Sequence, residues 1–176
     1  MSPEQEAALS GLQTAIRMEI DGKEFYPKES KASENERGAK LFKQLASEEN
    51  IHQQVFTEIY NKLKTQQQWP DTKIPAHNTK KLQTVFRTAI EKLAKDHTTT
   101  KAEIDAVKTG MDIENKTLDY YKERAAKAGF PSEKQLYESF AGQESEHFQL
   151  LQDYYEFLDN PVAYFIKTEH TSVDGG

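Results

Sequence analysis

Glu19, Glu49, His52, Glu114, Glu144 and His147 are the residues of this chain best suited to chemistry, because they form one pattern written twice. Glu19 precedes Glu49 by 30 residues (49 − 19), and Glu114 precedes Glu144 by the same 30 (144 − 114). Each copy ends in Glu-x-x-His, as Glu49-Asn50-Ile51-His52 and Glu144-Ser145-Glu146-His147. Adding 95 to a position in the first copy lands on its counterpart, with no insertion or deletion. Four carboxylates and two imidazoles in this order are the ligand inventory of a dinuclear metal site inside a four-helix bundle.

Helical phase decides whether these side chains can meet. Leu9, Leu12, Ile16, Glu19, Lys23 and Tyr26 step by three or four, which places Glu19 on an apolar stripe. The same stepping runs through Leu41, Leu45, Glu49, His52, Phe56, Ile59 and Leu63, then through Ile104, Val107, Met111, Glu114, Leu118 and Tyr121. It recurs in Leu136, Phe140, Glu144, His147, Leu151, Tyr154 and Leu158. Each candidate ligand therefore takes a place where an apolar residue belongs. A buried carboxylate without a partner is costly, and four converging ones repel each other. Two divalent cations remove both problems, since four negative charges meet four positive. Residues three apart lie about 5–6 Å apart on one helix face, so each Glu-x-x-His can reach a single ion, while Glu19 and Glu114 cap or bridge the pair. Taken alone, each Glu-x-x-His reads as a solvated pair on a helix surface. The shared burial phase, the two further glutamates and the common offset outweigh that reading.

Four long helices must position these groups. Boxes of Ser or Thr followed three residues later by Glu or Gln mark their starts at Ser2–Gln5, Ser33–Glu36, Thr100–Glu103 and Ser132–Gln135. Gly129 and Pro131 give a stop and restart. The expected helices span about 3–31, 34–65, 101–128 and 132–159. Pro27 predicts a kink or an early end in the first. Between the second and third lies a connection with Trp69-Pro70 and Ile74-Pro75, then an amphipathic stretch with Leu82, Phe86, Ile90 and Leu93. A helix of some thirty residues is about 45 Å long, and this connection can travel back along it as one long crossover carrying a short extra helix. The fold class is thus all-α: one domain over 1–160, with halves at about 1–65 and 96–160, a crossover at 66–100 and a tail at 161–176.

The offset of 95 extends beyond the ligands. Leu12 maps to Val107, Ile16 to Met111, Tyr26 to Tyr121, Leu41 to Leu136, Leu45 to Phe140, Phe56 to Leu151 and Leu63 to Leu158. This reads as an internal duplication of a helical hairpin, with a pseudo-two-fold axis between the metals. Two positions break it: Gly22 maps to Thr117 and Glu48 to Gln143. Tyr26 and Tyr121 fall two turns after Glu19 and Glu114, either within hydrogen-bond reach of a ligand carboxylate or as ordinary core tyrosines. His77, His97 and His170 lack acidic partners in phase and are expected at the surface. Glu48 and Glu146 flank the ligands but point off their face.

Composition narrows the function classes. The chain has 176 residues, 30% of them charged, and a formal charge of −6, which argues against nucleic acid as a partner. With no cysteine, disulfides, thiolate nucleophiles and cysteine-ligated iron centres are excluded within the sequence. No apolar run is long enough to span a membrane, and Met1-Ser2-Pro3-Glu4-Gln5-Glu6 does not look like a secretory signal, so the expectation is a cytoplasmic protein.

Glu19-x-x-Gly22-x-x-Phe25-Tyr26, Glu49-x-x-His52, Glu114 with Tyr120-Tyr121, and Glu144-x-x-His147 resemble the rubrerythrin-type branch of the ferritin-like superfamily, over roughly residues 5–160. The resemblance implies a ferritin-like four-helix bundle and a site of two iron ions, cycling between Fe2+ and Fe3+, that reduces hydrogen peroxide. Electrons would come from an external donor such as a rubredoxin-like protein, and a homodimer is the expected assembly. Two departures bear on this. Rubrerythrins usually carry a four-cysteine rubredoxin-like domain, and this sequence has no cysteine. They usually hold a further glutamate one turn after the third-helix ligand, where Thr117 stands here. The remaining six-ligand set is shared with ferroxidases and di-iron oxygenases. Oxygen-driven iron handling, and a bundle holding zinc or manganese, are therefore the rival expectations.

Overall fold

A computed structural model of the chain describes residues 1–66, 69–70, 83–84 and 100–173. Four long helices dominate: α1 (Pro3–Ala32), α2 (Glu36–Gln66), α3 (Lys101–Lys127) and α4 (Pro131–Asp159), followed by a shorter α5 (Pro161–Val173). There is no strand among the described residues. α1 packs along α2 and α3 along α4, each pair joined by a short turn, and the two hairpins meet through α1 and α3. The architecture is the expected all-α, ferritin-like bundle. The amphipathic stretch with Leu82, Phe86, Ile90 and Leu93 lies outside the described residues except at 83–84, which are helical; His77 and His97 lie outside them as well. Trp69, at the start of the connection, stacks on Phe130 at 5.9 Å, against the turn between α3 and α4.

Helix starts follow the capping chemistry in two of four places. Ser2 and Gln5 form a closed box, with Ser2 N–H donating to Gln5 Oε1 at 2.7 Å and Gln5 N–H to Ser2 Oγ at 3.3 Å. Thr100 Oγ1 accepts Glu103 N–H at 3.2 Å, but the Glu103 side chain turns inward to Tyr154 instead of closing a box. Ser33 ends α1 and accepts Asn35 N–H at 3.3 Å, and α2 begins at Glu36. α4 begins one residue early, at Pro131, whose missing amide costs nothing in the first turn. α1 continues through Pro27 and ends at Ala32, so the early end does not occur.

The expected tail is a helix over most of its length. Asn160 Oδ1 accepts Ala163 N–H at 3.0 Å, and Tyr164 and Phe165 meet Phe157 edge-on at 5.8 and 6.0 Å. His170 lies on this helix.

Two hydrophobic clusters fill the interior. One holds Tyr26, Leu41, Phe42, Leu45, Val107, Leu151 and Leu158. The other holds Tyr121, Leu136, Tyr137, Phe140, Leu12, Phe56 and Leu63. Each residue named in the first has its counterpart, 95 positions away, in the second, so the pseudo-symmetry exchanges the two clusters. Truncating any of these large side chains costs about 2–5 kcal/mol.

Candidate metal centre

Each long helix of the bundle delivers its candidate ligands to one place. Glu19 comes from α1, Glu49 and His52 from α2, Glu114 from α3, Glu144 and His147 from α4, and none is more than 2% exposed. Their donor atoms form two groups of four: Glu19, Glu49, His52 and Glu144, then Glu49, Glu114, Glu144 and His147. Within each group the atoms lie within 4.8 Å of one another. Glu49 and Glu144 belong to both, while Glu19 and Glu114 serve one each. The glutamates of α1 and α3 therefore cap, and those of α2 and α4 are shared.

The contacts repeat under the offset. His52 Nδ1 lies 2.9 Å from Glu144 Oε1 and 3.3 Å from Glu19 Oε2. His147 Nδ1 lies 3.2 Å from Glu49 Oε1 and 3.4 Å from Glu114 Oε2, the counterparts of those partners. The two imidazoles stack at 5.6 Å. Tyr26 and Tyr121 reach across between hairpins: the Tyr26 hydroxyl donates to Glu114 Oε1 and the Tyr121 hydroxyl to Glu19 Oε1. Each capping glutamate thus gives one oxygen to a tyrosine and turns the other toward the donor group.

Sequence reasoning passed over Gln143 as a participant. Its Oε1 lies 3.0 Å from His52 Nε2. An amide oxygen only accepts, so Nε2 carries a proton, and once the ring is neutral its lone pair lies on Nδ1 toward the donor group, the form that binds a metal. The available signal was the Glu48/Gln143 break in symmetry. Glu48 accepts Gln44 Nε2 at 2.9 Å. The Thr117 hydroxyl donates to the Ile113 carbonyl at 3.1 Å, within its own helix. Gly22 makes room, since a Cβ there would sit 3.0 Å from Glu49 Oε2.

Charge alone does not balance. Burial pushes Glu19 above the usual carboxylate value, and burial with neighbouring carboxylates pushes Glu49 and Glu114 well above it. Burial pushes Glu144 the same way, but His52 and His147 outweigh it and hold Glu144 well below. Burial opposes charge on the histidines, yet Glu19 and Glu144 raise His52, and Glu114, Glu144 and Glu49 raise His147, well above the usual range. Glu19 Oε2, Glu49 Oε1, His52 Nδ1 and both Glu144 oxygens are buried without a hydrogen bond. Buried polar atoms are normally satisfied. Two divalent cations would satisfy these together and offset the four carboxylates, so the donor set fits the metal pair. Oxygen and imidazole donors suit iron, manganese and zinc alike.

Among the described residues no helix is long and apolar enough to cross a membrane. No curated protein and no solved structure matches the chain significantly. The Rubrerythrin family model matches residues 11–155, most of its length and all six candidate ligands. With that match, the chain belongs to the rubrerythrin family.

Proposed function

We propose that this protein is a di-iron oxidoreductase that reduces hydrogen peroxide, with Glu19, Glu49, His52, Glu114, Glu144 and His147 as the metal ligands. The observation that carries the reading is the pair of four-donor groups sharing Glu49 and Glu144. Two ferrous ions bound there supply two electrons at one place, matching the two-electron, two-proton conversion of a peroxide to two waters.

The chain's own residues prepare the site. Tyr26 and Tyr121 fix the capping glutamates by hydrogen bonds from the opposite hairpin. Gln143 fixes the His52 tautomer. The hydrophobic clusters on either side keep bulk water away from the donors. Electrons come from a donor outside the bundle, for which a rubredoxin-like protein is the expected class.

Stopped-flow oxidation of the reduced, iron-loaded protein by peroxide tests this. The expected result is oxidation much faster than that of free ferrous ion, with a ferric absorption band that forms and then clears with added reductant. A rate equal to free ferrous ion removes the proposal.

One observation favours a second reading. Thr117 directs its hydroxyl to its own helix, so the ligand set stays at six, as in ferroxidases. Oxygen as the effective oxidant, with many irons per chain in a large shell, would establish that alternative. Two irons per chain in a small assembly would exclude it.

A further inference from the structure

The ligand shell is two-fold symmetric, but the rings around its two tyrosines are not. Tyr26 is packed by Phe25 at 5.2 Å and Phe42 at 6.2 Å between ring centroids. Tyr121, its counterpart, meets Tyr120 at 6.0 Å and Tyr137 at 5.6 Å. Phe25 maps to Tyr120 (25 + 95) and Phe42 to Tyr137 (42 + 95). At these two paired positions one side of the centre therefore carries hydroxyls and the other carries none, although Phe56 and Phe140 also meet Tyr121, at 5.3 and 6.3 Å. The difference is chemical. A phenol can give up an electron together with its proton, whereas a phenyl ring has no such proton and resists oxidation.

An oxidised phenol also needs somewhere to send that proton. The Tyr121 hydroxyl already donates to Glu19. Tyr120 is only half-buried, with its hydroxyl donating to the Gly11 carbonyl at 2.9 Å, where α3 meets α1 near the surface. Tyr137 is fully buried with the Arg124 guanidinium 5.7 Å over its ring, a cation that opposes removal of an electron. The path of least resistance runs from Tyr121 to Tyr120.

We propose that Tyr121 and Tyr120 form a one-sided relay carrying single oxidising equivalents from the metal centre to the α1–α3 surface, where a small hydrogen-atom donor quenches them. The relay rests on the peroxide reading above and comes into play when fewer than two electrons are available at the site. Each missing electron then leaves Tyr121 while its hydroxyl proton passes to Glu19. An electron from Tyr120 restores Tyr121, the proton returns from Glu19, and the Tyr120 proton leaves to water. A phenol or enediol reductant then returns one electron and one proton to Tyr120. Two such passages, with the two protons released to water, complete the reduction of one peroxide to two waters. The Phe25 and Phe42 side is insulated and takes no part.

The experiment adds excess peroxide to iron-loaded wild type, Tyr120→Phe and Tyr137→Phe, followed by freeze-quench electron paramagnetic resonance and peptide mass mapping, with ascorbate as the reductant. The wild type is expected to show a tyrosyl signal altered by ring-deuterated tyrosine and quenched by ascorbate. Oxidative adducts should gather at Tyr120 and be absent from the Phe25-Tyr26 peptide. In Tyr120→Phe the signal should persist in ascorbate, with ascorbate-supported peroxide turnover several-fold lower; Tyr137→Phe should match the wild type. Peroxide consumption without a tyrosyl signal overturns the relay alone, as does a Tyr120→Phe protein quenched like wild type. No peroxide consumption at all overturns the peroxide reading and the relay with it. Mapping on the wild type keeps the test decisive even where Tyr120→Phe folds poorly: adducts spread equally over Tyr26 and Tyr120 contradict a one-sided route.

Discussion

The two ends of the bundle occupy equivalent positions and are finished differently. At one end Glu103 is buried and accepts hydrogen bonds from Tyr154 at 2.6 Å and Ser33 at 3.2 Å. At the other, Glu133 is buried, pairs with Arg124 at 2.7 Å and accepts the Gly129 amide at 3.0 Å. Neither glutamate has an acidic counterpart, since Glu103 maps to Ala8 (103 − 95) and Glu133 to Gly38 (133 − 95). Gly38 packs directly against Glu103, where a Cβ would collide with the carboxylate. Between these ends the carboxylate contacts of His52 with Glu19 and Glu144 and the two tyrosine bonds recur under the offset, while the Gln143 contact of His52 stands on one side. Where the buried carboxylates and imidazoles converge, the halves largely agree; where side chains only join helix ends, they have diverged.

The strongest way to break this comparison is to remove the carboxylates both groups share. Glu49→Ala combined with Glu144→Ala should drop bound metal from two ions per chain to below one, with loss of the thermal stabilisation that added metal gives. That stabilisation is about 2.7 kcal/mol per site at a hundredfold excess over Kd. Glu19→Ala or Glu114→Ala should each leave one ion, by elemental analysis; loss of both from either single variant would erase the distinction between shared and capping ligands.

Next in size is a pH effect on the metal-free protein. His52 and His147 are raised well above 6.5, so their stabilisation is complete below pH 6.5 and is lost as pH rises through their folded values. Glu49 and Glu114, raised well above 4.5, act in the same direction. Glu144 is held low, and its contribution is lost on acidification below 4.5. Thermal unfolding of metal-free protein should therefore shift to lower temperature from about pH 4.5 upward and more steeply above 6.5, while metal-loaded protein holds. His52→Gln and His147→Gln should each remove a similar part of the slope, with Glu49 and Glu114 carrying the remainder.

Tyr26→Phe and Tyr121→Phe sharpen the symmetry further. Each deletes one hydrogen bond to a carboxylate, worth about 1.5–3 kcal/mol, and the two losses should agree in urea unfolding of loaded protein. Gln143→Leu, by contrast, should act on one side only. It should weaken the His52 group about 10–100-fold in a metal titration and leave the His147 group intact. Smallest is Gly22→Ala. Alanine gains about 1 kcal/mol of helix propensity, offset by crowding of Glu49, so stability should stay level while metal affinity falls several-fold. Thr117→Ala should leave that affinity unchanged.

The burial of the six candidate ligands was legible in the sequence because helical periodicity is local: a glutamate in the phase of leucines shows its burial without any knowledge of the fold. Which capping box would be used was less legible. Ser33 lies between two helices and serves the end of α1, and Pro131 pre-empts Ser132, both being outcomes of the turn rather than of the four-residue pattern. Pro27 was expected to kink or end α1; the helix does not end there, and Tyr26 lies in the same turn with its hydroxyl tied to Glu114 across the bundle, a tertiary bond that local propensity does not contain. Gln143 acts through a partner on another helix, so only the finished bundle shows its role. The α5 helix was missed because its packing against Phe157 depends on the break and cap at Asn160.

The crossed tyrosine bonds have a consequence for how such a molecule can be assembled from parts. Apart from Gln143 beside His52, the second-hairpin partners of Glu19, Glu49, His52 and Tyr26 are residues of the same types as these four. Two copies of the peptide 1–66, facing each other, would accordingly contain the whole liganding inventory. Covalent fusion of the two faces adds no donor; it lets one face acquire Gln143, Tyr120 and Tyr137 without imposing them on the other.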